Sequence, residues 1–104
     1  MSAPHITHWE AANPPTENLL LEIMKKQGLN PVSWSNGPYD TYSPRKHKYF
    51  RVIYVVRGSI TFVMPALNLR LELKPGDRLE LPAGIVHRVE IGTEGVTCVE
   101  GHIE

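Results

Sequence analysis

Two histidines and two arginines frame the chemistry open to this chain. His47 lies in the run Arg45-Lys46-His47-Lys48-Tyr49-Phe50-Arg51, and His87 closes the run Gly76-Asp-Arg-Leu-Glu-Leu-Pro82-Ala-Gly84-Ile-Val-His87. Two imidazoles joined by a third donor can hold a divalent transition metal (Fe, Mn, Ni or Zn) with open positions for substrate or dioxygen. Guanidinium groups do the opposite: always charged, they repel such a cation and grip a carboxylate or phosphate through parallel hydrogen bonds. The side chain of Arg51 decides between the two. In a strand, alternation puts His47, Tyr49, Arg51, Ile53 and Val55 on one face, so an inward His47 brings Arg51 inward with it. A buried guanidinium needs a partner, and Glu80 and Glu100 are the candidates. Arg45 reads first as a solvated loop residue beside Lys46 and Lys48, with a place in the pocket as the alternative.

Other residues are weighed in the same way. Cys98, Glu100 and His102 alternate along the last strand and could supply replacement metal ligands. The simpler reading makes Cys98 a small buried hydrophobe, Glu100 a partner for a base such as Arg51, and His102 terminal surface. Tyr39, Tyr42, Tyr49 and Tyr54 concentrate around one region, either as an aromatic mouth or as filling. Trp9 and Trp34 belong to no motif and are expected in the core or against a helix. His5 and His8 are expected to be exposed. Gly58-Ser59-Ile60 lacks the pattern of a nucleophilic serine elbow, no Gly-rich phosphate loop is present, and no catalytic residue is assigned.

The elements that must position these groups are mostly strands. Thr16 can cap a helix with Leu19, Leu20, Ile23 and Met24 on one side, Lys25 and Lys26 near its end and Gly28 as its stop. Three turns are too short to stand alone, so this helix must dock on a sheet. From Asn30 onward, Gly- and Pro-rich turn signals recur between strand-length runs. Phe50–Val56 and Ile60–Met64 read as a hairpin about Arg57-Gly58-Ser59. Leu67, Leu69, Leu71 and Leu73 alternate against Asn68, Arg70 and Glu72. Arg78–Leu81, Val86–Ile91 and Val96–Glu100 complete the set, the last two separated by Thr93-Glu94-Gly95. Residues 1–15 read as an irregular or edge-pairing arm. Many short antiparallel strands with such turns predict a sandwich or barrel.

The run from Gly76 to His87 resembles the second sequence motif of the cupin superfamily: Gly, five residues, Pro, one, Gly, two, His. Every fixed position up to the histidine is matched, although Ile91 stands where an Asn often follows. Anchoring the first motif on Gly58 puts Arg51 at its glutamate, His47 at its second histidine and Arg45 at its first. One inherited ligand position of three is kept there, so the resemblance implies a degenerate metal centre with His47 and His87 as its only inherited ligands. It covers about residues 32–100 and resembles a group of small bacterial cupins with a preceding helix and a basic residue at the glutamate position. The expected fold is all-β, a cupin-type jelly-roll or double-stranded β-barrel with one short N-terminal α-helix. Residues 1–104 are expected to form a single domain, with arm and helix over 1–29 and barrel over 30–104.

Composition sets the outer bounds. The 104 residues carry eleven basic and eleven acidic side chains, which gives no surplus positive charge for nucleic acid or an anionic membrane. The single Cys98 allows no internal disulfide, no run approaches a membrane span, and Met1–Glu10 lacks a leader pattern, so a cytoplasmic protein is expected. An outward stripe of Phe50, Val52, Tyr54 and Val56 predicts homodimerisation to cover it. The preferred expectation is a barrel binding a small, anionic ligand through His47, Arg51, His87, Tyr49 and Arg45 without metal. The alternatives are a metal-dependent enzyme of the dioxygenase or isomerase class and a side-chain-filled interaction module.

Overall fold

The computed structural model describes residues 3–40 and 44–103. Strand β1 (His5–Thr7) is followed by helix α1 (Glu17–Lys26), then by β2 (Val32–Asn36), β3 (Phe50–Met64), a 3-10 turn (Pro65–Leu67), β4 (Leu69–Leu73), β5 (Arg78–Leu81) and β6 (Arg88–Ile103). All pairings are antiparallel, in the order β1-β5-β3-β6-β2, with β4 pairing the far half of β3. No helix among the described residues is long and apolar enough to cross a membrane.

The hairpin expected about Arg57-Gly58-Ser59 does not form. Phe50 to Met64 is one strand, and it pairs with β6 along its whole length. The second expected turn, at Thr93-Glu94-Gly95, likewise lies inside β6. Both turn signals are irregularities facing each other across the ladder. Between the pairs Gly58–Val96 and Ile60–Ile91, β6 advances five residues while β3 advances two. Gly58 (φ +80°) and Gly95 (φ +76°) take the left-handed conformation there, and a Cβ on Gly58 would overlap the Gly95 carbonyl oxygen. Bulges bend and twist a strand pair without ending it, so the two long strands pass from one side of the barrel to the other.

The shift also flips the alternation. Ile53 and Val55 point inward before the bulge, and Ile60, Phe62 and Met64 after it. Together with Leu73, Leu79, Leu81, Ile91 and Cys98 they form one interior core drawn from both halves of the sheet. Leu67, expected in the β4 alternation, sits instead in the 3-10 turn and is exposed, because Asn68 (φ 53°) closes that turn in the left-handed region.

Thr16 caps α1 as expected, its Oγ1 accepting from the Leu19 N–H at 3.1 Å. Leu20 and Met24 are fully buried on the outer face of the sheet against Val52, Tyr54, Val56 and Val99. Each such side chain stabilises the docked helix by about 1.5–3 kcal/mol. Leu19, placed on the docking face by the sequence reading, is exposed, and Leu21 packs in its stead. Gly101 permits the close approach, since a Cβ there would press on Leu29 and Met24. The apolar stripe for which a second copy was expected is thus covered by the chain's own helix. The arm pairs through β1 with β5, and Trp9 lies over Gly76 while its N–H donates to Asp77 Oδ1 at 3.0 Å.

Candidate functional site

His87 is aimed by backbone before side chains enter. The corner Pro82-Ala83-Gly84 is held by the Gly84 N–H, which donates to the His47 carbonyl at 2.8 Å, and His87 and Arg45 exchange two backbone hydrogen bonds of 2.9 Å. Gly84 has φ +83°, a conformation that costs glycine little. The imidazole that emerges is 2% exposed, faces the Phe62 ring at 5.9 Å and contacts the Ile85 carbonyl through Nδ1 at 3.0 Å. A carbonyl only accepts, so Nδ1 carries the proton and neutral His87 presents its lone pair on Nε2. Arg51 Nη1 donates to that lone pair at 3.3 Å.

Arg51 points inward and is 8% exposed. Its Nε donates to Glu100 Oε2 at 2.8 Å and its Nη2 to Oε1 at 2.6 Å, a two-point ion pair across β3 and β6. Trp34 on β2 adds a third bond, Nε1 to Glu100 Oε1 at 2.9 Å. Burial alone would raise the Glu100 carboxyl, but the Arg51 fork overrides it and holds that carboxyl below its ordinary range. Burial pushes both imidazoles down, and the Arg51 guanidinium adds to the effect at each. Both are therefore neutral near pH 7.

These groups border a cavity of about 310 Å³, whose walls include Trp34, Phe62 and Val89 as well as His87, Arg51, Glu100, Arg45 and Arg88. Arg51 and Arg45 thus border this space together with the Glu100 carboxylate, whereas the Arg88 side chain lies on the opposite face of β6 from Val89, with Glu90. Arg88 donates to Glu90 Oε2 at 2.7 Å, but Glu90 is shared with Arg70, whose Nη2 lies 2.7 Å from Oε1. The two arginines hold the Glu90 carboxyl down to about 2.

The expected site residues are brought together in part. His87, Arg51 and Arg45 line the cavity, and Arg45 is at once exposed on its loop and present at the mouth. His47 and Tyr49 lie outside that lining. His47 stacks on His87 with centroids 5.5 Å apart, Tyr49 lies 5.4 Å beyond it, and His102 packs on Tyr49 at 4.2 Å. His47 borders a separate hollow with Lys46, Lys48, Ala83 and Gly84, and its Nε2 is buried with no hydrogen-bond partner among the described residues. Among the described residues the tyrosines do not form a mouth. Tyr54 packs under α1, Tyr39 is exposed, and Tyr42 lies outside the described residues. The cavity's aromatics are Trp34 and Phe62, which the sequence reading assigned no part in a site. Trp34 alternates with Val32 and Asn36 along β2, but its place beside Glu100 depends on the β2–β6 register, which sequence does not display.

The residues present do not fit a cupin-type metal. The Nε2 lone pair of His87 faces a guanidinium, and both oxygens of Glu100 are engaged by Arg51. Cys98 is fully buried, with burial pushing its thiol pKa up, and His102 is exposed against Tyr49. Among the described residues no three of His, Cys, Asp and Glu converge as a metal-holding group. A fixed cation, Arg51, therefore occupies both the lone pair of His87 and the oxygens of Glu100.

No protein-family model matches the chain, and no curated protein matches its sequence. Solved structures do match. A cupin superfamily protein from Desulfitobacterium hafniense superposes with a TM-score of 0.62 at 11% identity, over 97% of this chain and 77% of its own. A DUF861 family protein from Thermotoga maritima gives 0.64 at 13% identity, over 97% of this chain and 100% of its own. A polyketide cyclase from Streptomyces resistomycificus gives 0.62 at 24% identity, over 71% of this chain and 54% of its own.

Proposed function

Within the cupin fold that this chain adopts, we propose that the interior cavity binds a small organic anion without a metal ion. The single observation that carries this reading is the inward Arg51 at the cavity floor, whose Nη1 donates to the His87 lone pair that a metal ion would need. Arg51 is paired with Glu100 and still turns Nη1 toward His87 at the cavity floor, so its guanidinium has a donor to offer a carboxylate or sulfonate there. A low-dielectric wall strengthens that attraction. Trp34, Phe62 and Val89 give the remaining surface an apolar character suited to a hydrocarbon or aromatic body. The volume is near the lower end of small-molecule sites, which suits a ligand of metabolite size.

Ligand-binding roles follow the geometry. Arg45 borders the mouth, Arg51 and His87 form the floor and engage the charged group, and Trp34 shapes the side. His47 and Tyr49 support His87 from behind without touching the ligand. A filled interaction module is less consistent with an interior of this size, and the metal-enzyme alternative has no convergent donor set behind it among the described residues.

Calorimetric titration with benzoate, and with benzamide as the uncharged analogue, tests the reading. Benzoate is expected to bind and benzamide to bind at least about tenfold more weakly. Arg51→Met is expected to abolish benzoate binding and Arg45→Ala to weaken it, with a larger effect at low salt. Equal affinity for the two compounds, or none for either, would remove the proposal.

A further inference from the structure

We infer that the cavity takes up one proton, onto His87 Nε2, with each anion it binds. The inference rests on the anion-binding reading above and adds a chemical linkage to it. Without ligand, the Nε2 lone pair accepts from Arg51 Nη1 at 3.3 Å, so a proton on Nε2 would set two cations face to face. A carboxylate or sulfonate lying across the floor changes what both atoms must do. It accepts the Nη1–H of Arg51, and it meets a lone pair on His87, where two acceptors repel.

A neutral imidazole could escape by moving its proton from Nδ1 to Nε2. Here that route is closed. Nδ1 lies 3.0 Å from the Ile85 carbonyl, and deprotonating it would leave two acceptors facing each other in a buried position. The Ile85 contact therefore holds the Nδ1 proton in place, and the second donor has to come from solvent. One proton arrives from water, one N–H bond forms at Nε2, and the imidazolium then donates to the anion. The incoming negative charge and the added positive charge cancel, so the site keeps its net charge.

The groups facing His87 support this sign. Arg51 comes from β3 and Glu100 from β6, where they neutralise each other. Arg45 and His47 approach from the segment before β3, whereas Arg88, next along β6, turns to the other face with Glu90. The cations among them disfavour imidazolium in the empty site and are what the anion offsets. Burial, which already lowers the His87 pKa, leaves room for the bound anion to raise it across the neutral range. His47, stacked at 5.5 Å but outside the cavity lining, lacks contact with the ligand and is not the acceptor.

Benzenesulfonate is the suitable probe, because it stays anionic throughout and any pH dependence belongs to the protein. Calorimetry of the wild-type protein near pH ~7, in two buffers of different ionisation enthalpy, is expected to show uptake approaching one proton per ligand. Affinity should rise as pH falls, by up to about tenfold per unit between the bound and empty imidazole pKa values, and then level off. His87→Gln should bind with no pH dependence, whereas His47→Gln should keep it. An enthalpy independent of buffer together with equal affinity at about pH 6 and about pH 8 would overturn the inference and leave anion binding standing. Linkage lost in His47→Gln and kept in His87→Gln would also overturn it. Absence of benzenesulfonate and benzoate binding at every pH would defeat the underlying reading as well.

Discussion

Glu100→Gln isolates the contact on which the floor of the cavity depends. Glutamine preserves volume and can still accept from Trp34, but it removes the charge that offsets Arg51. The two side chains are only 10% and 12% exposed. Leaving one member of a buried pair unpaired costs about 3–5 kcal/mol, and Arg51 borders a cavity that can admit water, so the low end applies: about 3 kcal/mol. For a domain near 100 residues that is a fall in Tm of about 12–20 °C, large but survivable against a total stability of about 5–15 kcal/mol. Urea unfolding of wild type, Glu100→Gln, Arg51→Met and the double variant completes a thermodynamic cycle. The double variant is expected to recover most of the loss, because no buried charge remains. On the proposed anion-binding reading, Glu100→Gln should also bind benzoate more tightly, since the Arg51 guanidinium would then meet the ligand with no competing carboxylate. A Glu100→Gln protein within about 0.5 kcal/mol of wild type would refute the argument, because surface substitutions alone fall in that range.

Three further outcomes are expected. Both imidazoles have native pKa values below the ordinary 6.5, and the Glu100 carboxyl lies below 4.5, so the unfolded chain binds more protons in acid. Stability is therefore full above about pH 6.5, falls as pH drops through the native imidazole values, and falls again below about pH 4.5. Urea midpoints across this range check it, and an unchanged upper step in His47→Gln/His87→Gln would contradict the assignment. Elemental analysis after incubation with Fe, Mn, Ni or Zn and desalting should find well under one equivalent of metal, and a full equivalent abolished by His87→Ala would reverse the conclusion about donors. Gly58→Ala should cost distinctly more than Gly84→Ala. Both carry the left-handed penalty of about 1–2 kcal/mol, but only Gly58 lacks space for a Cβ; equal costs by thermal melting would show that the bulge relaxes.

How far the site could be read in advance depended on range along the chain. The corner before His87, the cap at Thr16 and the inward phase of Arg51 are local consequences of residue type and strand period, and they agree with the structure. Glu100 was one of two candidate partners for Arg51, and only the register of β3 on β6 chooses it over Glu80, which pairs opposite Val52 on the other face. Arg57-Gly58-Ser59 misled for a physical reason: the left-handed glycine that makes a hairpin turn also makes a bulge, and local sequence does not say whether the partner strand continues. Trp34 was missed because nothing in Val32-Ser33-Trp34 reveals which strand lies beside it.

The opposed glycines have a consequence for assembly. Residues Arg51 and Glu100 meet only when β3 and β6, far apart in sequence, are laid together without a slip, and a displacement by one residue would turn Glu100 to the outer face and strand Arg51 alone inside. Because Gly58 and Gly95 tolerate each other's backbone where other residues would collide, misaligned pairings meet a steric barrier near the bend. A fold dominated by such long-range pairing is expected to form at the millisecond-to-second rates typical of high contact order. Binding of the proposed probe anion would then report on completed registration, since Arg51, Glu100 and His87 come together only when the two long strands are aligned.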